Sequence, residues 1–402
     1  MQRKHIRFLF LNIGHFIDHF LVLIFASAAA LRLTTEWAMS YAELIPYATP
    51  GLVAFGLFAI PAGWLADKWS REGMMVIFFL GIGASSAFCS FADTPFEIGL
   101  GLTLIGSFAA IYHPVGLSML IQGRDKLGMP LAINGIFGNM GVASAALLTG
   151  LLIDTAGWRS SFLIPGIASM ILGMLYLVFE YSGRRTEAVR DPVVHESTQT
   201  ETLPRNTLIR IFAVIFFTAA VGGIIFQSTT FSLPKVLGER LTDLAGSATQ
   251  VGFYTFLVFS TAAFAQLFVG YLIDKHSVRT VFAWVAILQA VLFAIMIPLT
   301  GMAALIVAFA FMFVVFGEIP INDVLVGRVA RSEWRGRAYA VTYIIGFTVS
   351  ALTLPLIAWI HGSWGFDVLF AILSVSALLI FLAVLFLPQT HQLIQKPKMS
   401  LA

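Results

Sequence analysis

Three ionisable side chains, Asp18, His113 and Glu318, lie inside long apolar runs of the sequence. A charged group inside such a run is costly, so these residues are candidates for binding a proton, an ion or a polar solute. Each lies about 8 to 11 residues from the end of its predicted helix that is expected to face the cytoplasm. A rise of about 1.5 Å per residue therefore places all three at a similar depth. We therefore predict that the three side chains lie at the same depth along their helices.

The first apolar run also carries a polar face. Asn12, His15 and His19 follow one another at spacings of three and four residues, with Asp18 beside them. A carboxylate in a partly desolvated cavity can load and release a proton near neutral pH. The same face is equally consistent with a structural ion pair or hydrogen bond between Asp18 and His15 or His19, which would lock the helix to a neighbour.

Polar residues in other runs extend the candidate site. Glu318 precedes Asn322 by four residues, so both lie on one helix face, and Glu318 is a second candidate for recognising a proton or cation. Gln227 is a candidate lining residue of the seventh helix. His113 precedes Pro114, which frees a backbone carbonyl, so His113 either binds an anionic solute or hydrogen-bonds that carbonyl.

The composition indicates a membrane protein. Of the 402 residues, 58% are hydrophobic and 11% are charged, whereas soluble chains have about 25% charged residues. A span needs roughly 20 apolar residues, so the chain has room for about twelve spans with short loops. The basic residues lie in small clusters without interleaved aromatic side chains, which argues against nucleic acid as a partner. The single cysteine, Cys89, lies in an apolar run, so we expect no thiol metal cluster and no cofactor.

The basic residues predict the orientation. With the N-terminus in the cytoplasm, 20 of the 24 Lys and Arg residues fall on the cytoplasmic side, as the positive-inside rule requires. We predict cytoplasmic termini and a place in a cell membrane, the bacterial inner membrane. The predicted units are a six-helix bundle over residues 1–181, a cytoplasmic linker over 182–207, a second bundle over 208–390 and a tail over 391–402.

The two halves repeat a loop pattern. Matching residues occur after the second and eighth spans and ahead of the fifth and eleventh spans, at an offset of 207 positions. Two six-span units joined by a polar linker are typical of transporters whose solute site lies between the halves near the membrane midplane. The matching pairs are Gly63 with Gly270, Asp67 with Asp274, and Arg124 with Arg331.

The loops at 63–71 and 270–279, together with Gly157-Trp158-Arg159, resemble the signatures of the major facilitator superfamily. This resemblance covers essentially the whole chain. It implies an all-α membrane fold with twelve transmembrane helices in two pseudo-symmetric six-helix bundles. It also implies that spans one, four, seven and ten line a central cavity, which would bring Asp18, His113 and Glu318 to one chamber.

The same resemblance implies a gate on the cytoplasmic side. Asp67 is expected to lie against the N-terminal end of the eleventh span, where free N–H groups favour an anion, and Asp274 against that of the fifth. A role limited to topology and turns is the alternative. Nearby basic residues would complete charge networks that break when the protein opens inward, and these are Arg71, Arg124, Arg279 and Arg331.

The sequence predicts a monomeric secondary transporter that moves a small organic solute by alternating access, coupled to protons. Export by an antiporter is favoured, because the segment 111–116 resembles the fosmidomycin-resistance-like efflux proteins. The cargo of such an efflux protein would be a drug-like compound, an organic anion or a metabolite. Import of a small organic acid or metabolite by proton symport is equally consistent with Asp18, His113 and Glu318.

Two other classes of protein fit the sequence less well. A membrane enzyme and a metal site are not expected, because the sequence has no His-Glu-x-x-His signature and no Gly-x-x-x-x-Gly-Lys loop. A membrane receptor or scaffold that has lost transport is the remaining alternative. Retention of both loop aspartates, Asp67 and Asp274, argues against it.

Overall fold

The structure, a computed structural model, describes residues 3–122, 128–183, 204–329 and 332–388, and no strand occurs within these ranges. Its membrane-spanning helices agree with the twelve predicted. The last helical segment, Ser332–Val384, is broken at Gly365, whose φ of 75° is not helical, so residues 332–364 form α11 and 366–384 form α12. The other helices are α1 (Arg3–Glu36), α2 (Tyr41–Lys68), α3 (Arg71–Cys89), α4 (Pro95–Ile121), α5 (Gly128–Ala156), α6 (Trp158–Gly183), α7 (Arg205–Arg240), α8 (Ala248–Lys275), α9 (Val278–Met296) and α10 (Gly301–Val329).

Side-chain caps fix where several helices begin. Ser70 accepts a hydrogen bond of 3.0 Å from the first turn of α3, and Thr94 forms a capping box with Glu97 at the start of α4. Ser247 and Ser277 cap α8 and α9 in the same way. Because the first N–H groups of a helix have no partner within it, each cap fixes a boundary that the apolar pattern alone leaves uncertain.

Helices α1–α6 form one bundle and α7–α12 the other. In the first bundle α1 packs along α5 and α3 along α6, while in the second α7 and α9 pack on the α11–α12 segment. The bundles meet where α2 contacts the α11–α12 segment and where α5 contacts α8. Since α8 and α11 are the repeat equivalents of α2 and α5, the internal repeat relates the two interfaces.

Glycines bring α5 and α8 into close contact. A Cβ atom on Gly150 would overlap the backbone carbonyl of Ala248, and a Cβ atom on Gly252 would overlap that of Ala146. Small residues permit such an approach, and in a bilayer the resulting van der Waals packing is a main source of helix association. The interface between the halves is therefore tight along this pair of helices.

Helix α4 is irregular where its polar residues lie. Residues Tyr112–Gly116 form a π turn that contains His113 and Pro114. Proline donates no backbone hydrogen bond, and π turns inside helices are frequent at functional sites. His113 is thus presented by a distorted segment.

Helices extend into both ends of the predicted linker, residues 182–207. Helix α6 continues to Gly183, and α7 begins at Arg205. The intervening residues 184–203 lie outside the described residues, as does the predicted tail over 391–402. The exact boundaries of the linker and of the tail therefore stay predictions.

Candidate functional site

Three histidines meet between α1 and α4. His15 and His19 have their Nε2 atoms 3.1 Å apart, and the ring centroid of His113 lies 5.4 Å from that of His15. One nitrogen from each ring lies within 4.8 Å of the others. His15 is buried, whereas His19 and His113 are half-buried. The cluster therefore borders space that a solute or an ion can reach.

Asp18 lies beside this cluster. Its Oδ2 atom is 3.5 Å from Nε2 of His113, and its side chain is 1% exposed. Within the described part of the chain, neither carboxylate oxygen has a hydrogen-bond partner. The ion-pair contact of Asp18 is thus with His113, not with His15 or His19 as the structural alternative supposed. A buried carboxylate without donors is costly when ionised, so the position favours a bound proton or cation.

A hydrogen bond to α5, which is itself bonded to α4, holds the His15 ring. Its Nδ1–H donates to the main-chain carbonyl of Asn134 at 2.8 Å. The Asn134 side chain donates to the hydroxyl of Tyr112 at 2.9 Å and to Oδ1 of Asn12 at 3.0 Å. The Tyr112 hydroxyl in turn donates to the carbonyl of Leu11 at 2.7 Å. The network fixes the ring orientation, and Tyr112 and Asn134 are site residues that the sequence analysis did not include.

Glu318 has separate surroundings in the second half. Gln289 on α9 donates a hydrogen bond of 2.7 Å from Nε2 to Oε2 of Glu318, whose side chain is buried. Gly222 on α7 faces Oε1 so closely that a Cβ atom there would overlap it. The contacts described for Glu318 therefore lie within the second bundle. The structure brings Asp18 and His113 together but does not join Glu318 to them.

Two further predicted lining residues lie on the helices expected to border the cavity. Asn322 on α10 accepts a hydrogen bond of 3.0 Å from the Thr218 hydroxyl on α7. Gln227 on α7 is half-buried. Asn322 thus ties α7 to α10 near Glu318, which is a packing role whether or not it also contacts a solute.

The aspartates of the repeated loops are exposed. Asp67 accepts a hydrogen bond of 3.0 Å from Arg71, four residues later in sequence, and its side chain is 68% exposed. Asp274 is exposed as well, and Arg279 is half-buried. Contacts of Asp67 with α11 and of Asp274 with α5 stay predictions.

Other residues of the predicted gate lie in or near the same turns. Gly63 and Gly270 lie in the last turns of α2 and α8, and a Cβ atom on Gly63 would lie 3.3 Å from the side chain of Pro114 on α4. Arg124 and Arg331 lie outside the described residues. The charge network of the gate therefore stays a prediction, because two of its four arginines are not among the described residues.

Contacts between the halves occur at the opposite end, which the basic residues predict to be extracytoplasmic. Asp154 at the end of α5 accepts hydrogen bonds from the backbone N–H of Thr249, at 2.7 Å, and from its hydroxyl, at 2.6 Å. Tyr41 at the start of α2 lies edge-on to His361 of α11, with ring centroids 5.4 Å apart. Within the second bundle, Nε2 of His361 lies 3.3 Å from Oε1 of Glu239 on α7. The contacts of Asp154 and Tyr41 hold the bundles together at that end.

The chain is similar to proteins of one transporter family. A family model described as Major Facilitator Superfamily matches residues 11–242 and 237–400. The inward-open conformation of the xylose transporter XylE from E. coli has a TM-score of 0.72 and 13% identity, over 97% of this chain and 98% of that chain. At this identity the likeness concerns the fold.

Among curated relatives, the gallate transporter of Pseudomonas putida is 23% identical over 283 residues, which are 63% of this chain and 62% of that protein. The 4-hydroxybenzoate transporter PcaK of Pseudomonas aeruginosa is 24% identical over 408 residues, which are 89% of this chain and 86% of that protein. The chain thus spans less than two thirds of the length of the gallate transporter that it matches.

Proposed function

Because this chain belongs to the Major Facilitator Superfamily, we propose that it is a secondary transporter that moves a small organic acid across a bacterial inner membrane by alternating access, coupled to protons. The proposal depends on one observation above all. Among the described residues, each half buries a carboxylate that contacts no Lys or Arg, Asp18 beside its histidines in the first and Glu318 in the second, whereas the third buried carboxylate, Glu180, pairs with Arg3 and Arg7. Groups placed at such cost within a membrane are typical of proton relays in transporters.

The solute class is proposed from the relatives and from the rings around the cluster. Gallate and 4-hydroxybenzoate, named in the relatives' descriptions, are aromatic acids. In this chain the ring of Tyr112 stacks on His15 with centroids 4.9 Å apart, and Phe55 lies edge-on to His113 at 5.9 Å. Imidazole donors next to aromatic rings suit a solute with a carboxylate at one end and an apolar ring at the other.

The coupling follows from electrostatics. An anionic solute close to Asp18 is repelled while the carboxylate is ionised and accepted once it is neutral. Binding of the proton and binding of the anion therefore strengthen each other, and this linkage is reciprocal. A proton and an acid that bind together also cross together, so an organic-acid cargo favours symport and import.

The export that the sequence analysis favoured needs a different linkage. In an antiporter the solute and the proton exclude each other, as a cation and a proton do when they compete for one carboxylate. The efflux assignment thus stays a prediction that suits a cationic or drug-like cargo. The direction in which a proton gradient drives the acid separates the two mechanisms.

The proposed architecture is a monomer with both termini in the cytoplasm. The distribution of basic residues favours this orientation. The exposed Asp67, paired with Arg71, is consistent with a cytoplasmic gate that is open, whereas the contact of Asp154 with Thr249 closes the opposite side. In the reverse state the loop networks would form and the outer contacts would part.

The test is flux in proteoliposomes that contain the purified full chain. Labelled 4-hydroxybenzoate should exchange against unlabelled 4-hydroxybenzoate or gallate inside the vesicles, and an inside-alkaline gradient should drive its accumulation. Xylose serves as the uncharged control and should not compete. Accumulation driven by an inside-acid gradient would support antiport instead, binding without exchange would indicate a receptor, and flux equal to that of protein-free vesicles would refute the transport proposal.

A further inference from the structure

We propose that His15, His19, His113 and Asp18 form a binding site for a divalent transition-metal cation of the Zn²⁺ class. Imidazole nitrogens are preferred ligands of Zn²⁺, Cu²⁺ and Ni²⁺, and three histidines with a further position are an established zinc arrangement in proteins. The three rings offer nitrogens within 4.8 Å of one another. The sequence predicted no metal site because the His-Glu-x-x-His signature lies on a single helix, whereas this cluster is built from two.

The distances between nitrogens are close to those of a coordinated metal. Two nitrogens that each lie about 2.0 Å from a tetrahedral zinc are about 3.3 Å apart. The Nε2 atoms of His15 and His19 are 3.1 Å apart, and their i, i+4 spacing places both on one helix face. No separation between the three ligand nitrogens exceeds 4.8 Å. An inward movement of the half-buried His113 ring by at most about 1.5 Å would complete the site.

The ring of His15 is already prepared as a ligand. Its Nδ1 donates to the Asn134 carbonyl, and a carbonyl only accepts, so Nδ1 carries the proton and Nε2 presents a lone pair to the cluster. Metal-binding histidines commonly donate their other N–H to a backbone carbonyl or a carboxylate, which fixes the tautomer. For His113 the neighbour is a carboxylate, because its Nε2 lies 3.5 Å from Oδ2 of Asp18.

Asp18 supplies the charge that three neutral imidazoles lack. Neither of its oxygens has a hydrogen-bond partner within the described residues, although its side chain is 1% exposed. A buried carboxylate of this kind needs a compensating positive charge. A divalent cation held by the histidines would provide it, with Asp18 as the fourth ligand or as the partner of His113.

The cation and the coupling proton would compete for the same groups. Metal ligands must be deprotonated, so a bound cation excludes protons from Asp18 and the imidazoles. This consequence depends on the proposed proton-coupled transport. We expect micromolar Zn²⁺ to inhibit acid flux and a chelator to restore it.

The binding test uses the untagged full chain in detergent, without any solute, titrated with Co²⁺ as a spectroscopic substitute for Zn²⁺. The expected result is one Co²⁺ per chain, with the intense visible bands of a four-coordinate site, which Zn²⁺ then displaces. His15→Gln and His113→Gln should each lower the affinity about tenfold or more. His276→Gln, an exposed histidine outside the cluster, should bind Co²⁺ like the wild type.

A second pair of variants removes no ligand. A Cβ atom on Gly138 would lie 2.7 Å from Nε2 of His15, whereas one on Gly135 would meet no atom within 4 Å. Gly138→Ala should therefore weaken Co²⁺ binding and Gly135→Ala should not. Absence of four-coordinate Co²⁺ in the wild type, or unchanged binding in the Gly138→Ala and histidine variants, would overturn the site. Acid flux without Co²⁺ binding would leave the transport proposal standing, and Co²⁺ binding without flux would refute transport alone.

Discussion

Substituting Glu318 should change the number of charges moved in each transport cycle. If Asp18 and Glu318 each carry a proton with one monovalent acid anion, one net positive charge crosses per cycle. A potential of 100 mV, negative inside, then adds about 2.3 kcal/mol to accumulation, which is roughly fifty-fold in the concentration ratio. One pH unit adds about 1.36 kcal/mol for each proton, so two protons give a further factor of about one hundred.

Glu318→Gln should remove one of these protons while preserving the local structure. The amide oxygen of the new side chain can still accept the hydrogen bond that Gln289 donates at 2.7 Å. Transport of one proton with one anion is electroneutral. The variant should therefore lose the fifty-fold response to potential and keep a response of about tenfold per pH unit.

The assay is accumulation of labelled 4-hydroxybenzoate in proteoliposomes, with the potential set by a potassium gradient and valinomycin, and with a chelator in all buffers. Asp18→Asn should show the same loss as Glu318→Gln. The double variant should lose the response to pH, and because it moves one net negative charge, a negative interior should lower its accumulation. Glu36→Gln is the matched control, because Glu36 pairs with Arg32 near the surface. A wild type without any voltage response, or a Glu318→Gln variant that keeps the full one, refutes the two-proton reasoning.

Three further substitutions test the site and the two gates. Gly138→Ala would push the His15 ring back by about 0.8 Å to reach a normal contact of about 3.5 Å, and we expect acid flux to fall about tenfold or more, with Gly135→Ala as the unaffected control in the same flux assay. Asp154→Ala removes an exposed link between the bundles worth about 1 kcal/mol. The outward-open population should rise about five-fold, measured by spin-label distances across the extracytoplasmic end. Asp67→Asn should raise the inward-facing population, seen as greater labelling of cysteines placed on the cytoplasmic side, and unchanged labelling would mean that the loop is not a gate.

The number of helices could be predicted because a bilayer leaves the chain few options. Each span must satisfy its own backbone hydrogen bonds, so apolar runs and the residues that interrupt them determine the helices. The break at Gly365 separates α11 from α12, as the prediction of twelve spans requires. The linker ends differ because polar residues next to a span can extend a helix into water.

The partners of the buried groups could not be predicted in the same way. Which residue faces Asp18 depends on how α4 is rotated at its π turn, and that distortion brings His113 to 3.5 Å. Gln289 lies on α9, a helix not expected to line the cavity, so its bond to Glu318 depends on packing within the second bundle. Tyr112 carries no charge, so its position next to His113 in the sequence was the one indication that it belongs to the site.

The repeat relates the helices of the two halves but not their ionisable groups. Pro114 and Pro320 each interrupt the fourth helix of a half, at an offset of 206 residues, one less than that of the loops. Two positions before these prolines lie Tyr112 and Glu318. The first is a neutral hydroxyl bonded to Asn134, whereas the second is a carboxylate.

Asp18 shows the converse asymmetry. Its equivalent at an offset of 207 is Ile225, a buried apolar residue of α7. The first half therefore presents its carboxylate from α1 and the second half from α10, which are not equivalent helices. When the bundles rock about their shared interface, α1 and α10 move relative to different neighbours. The two carboxylates are thus exposed to water by different movements, so we infer that their protons leave in separate steps, and a pre-steady-state measurement of proton release should resolve two phases, of which Glu318→Gln removes one.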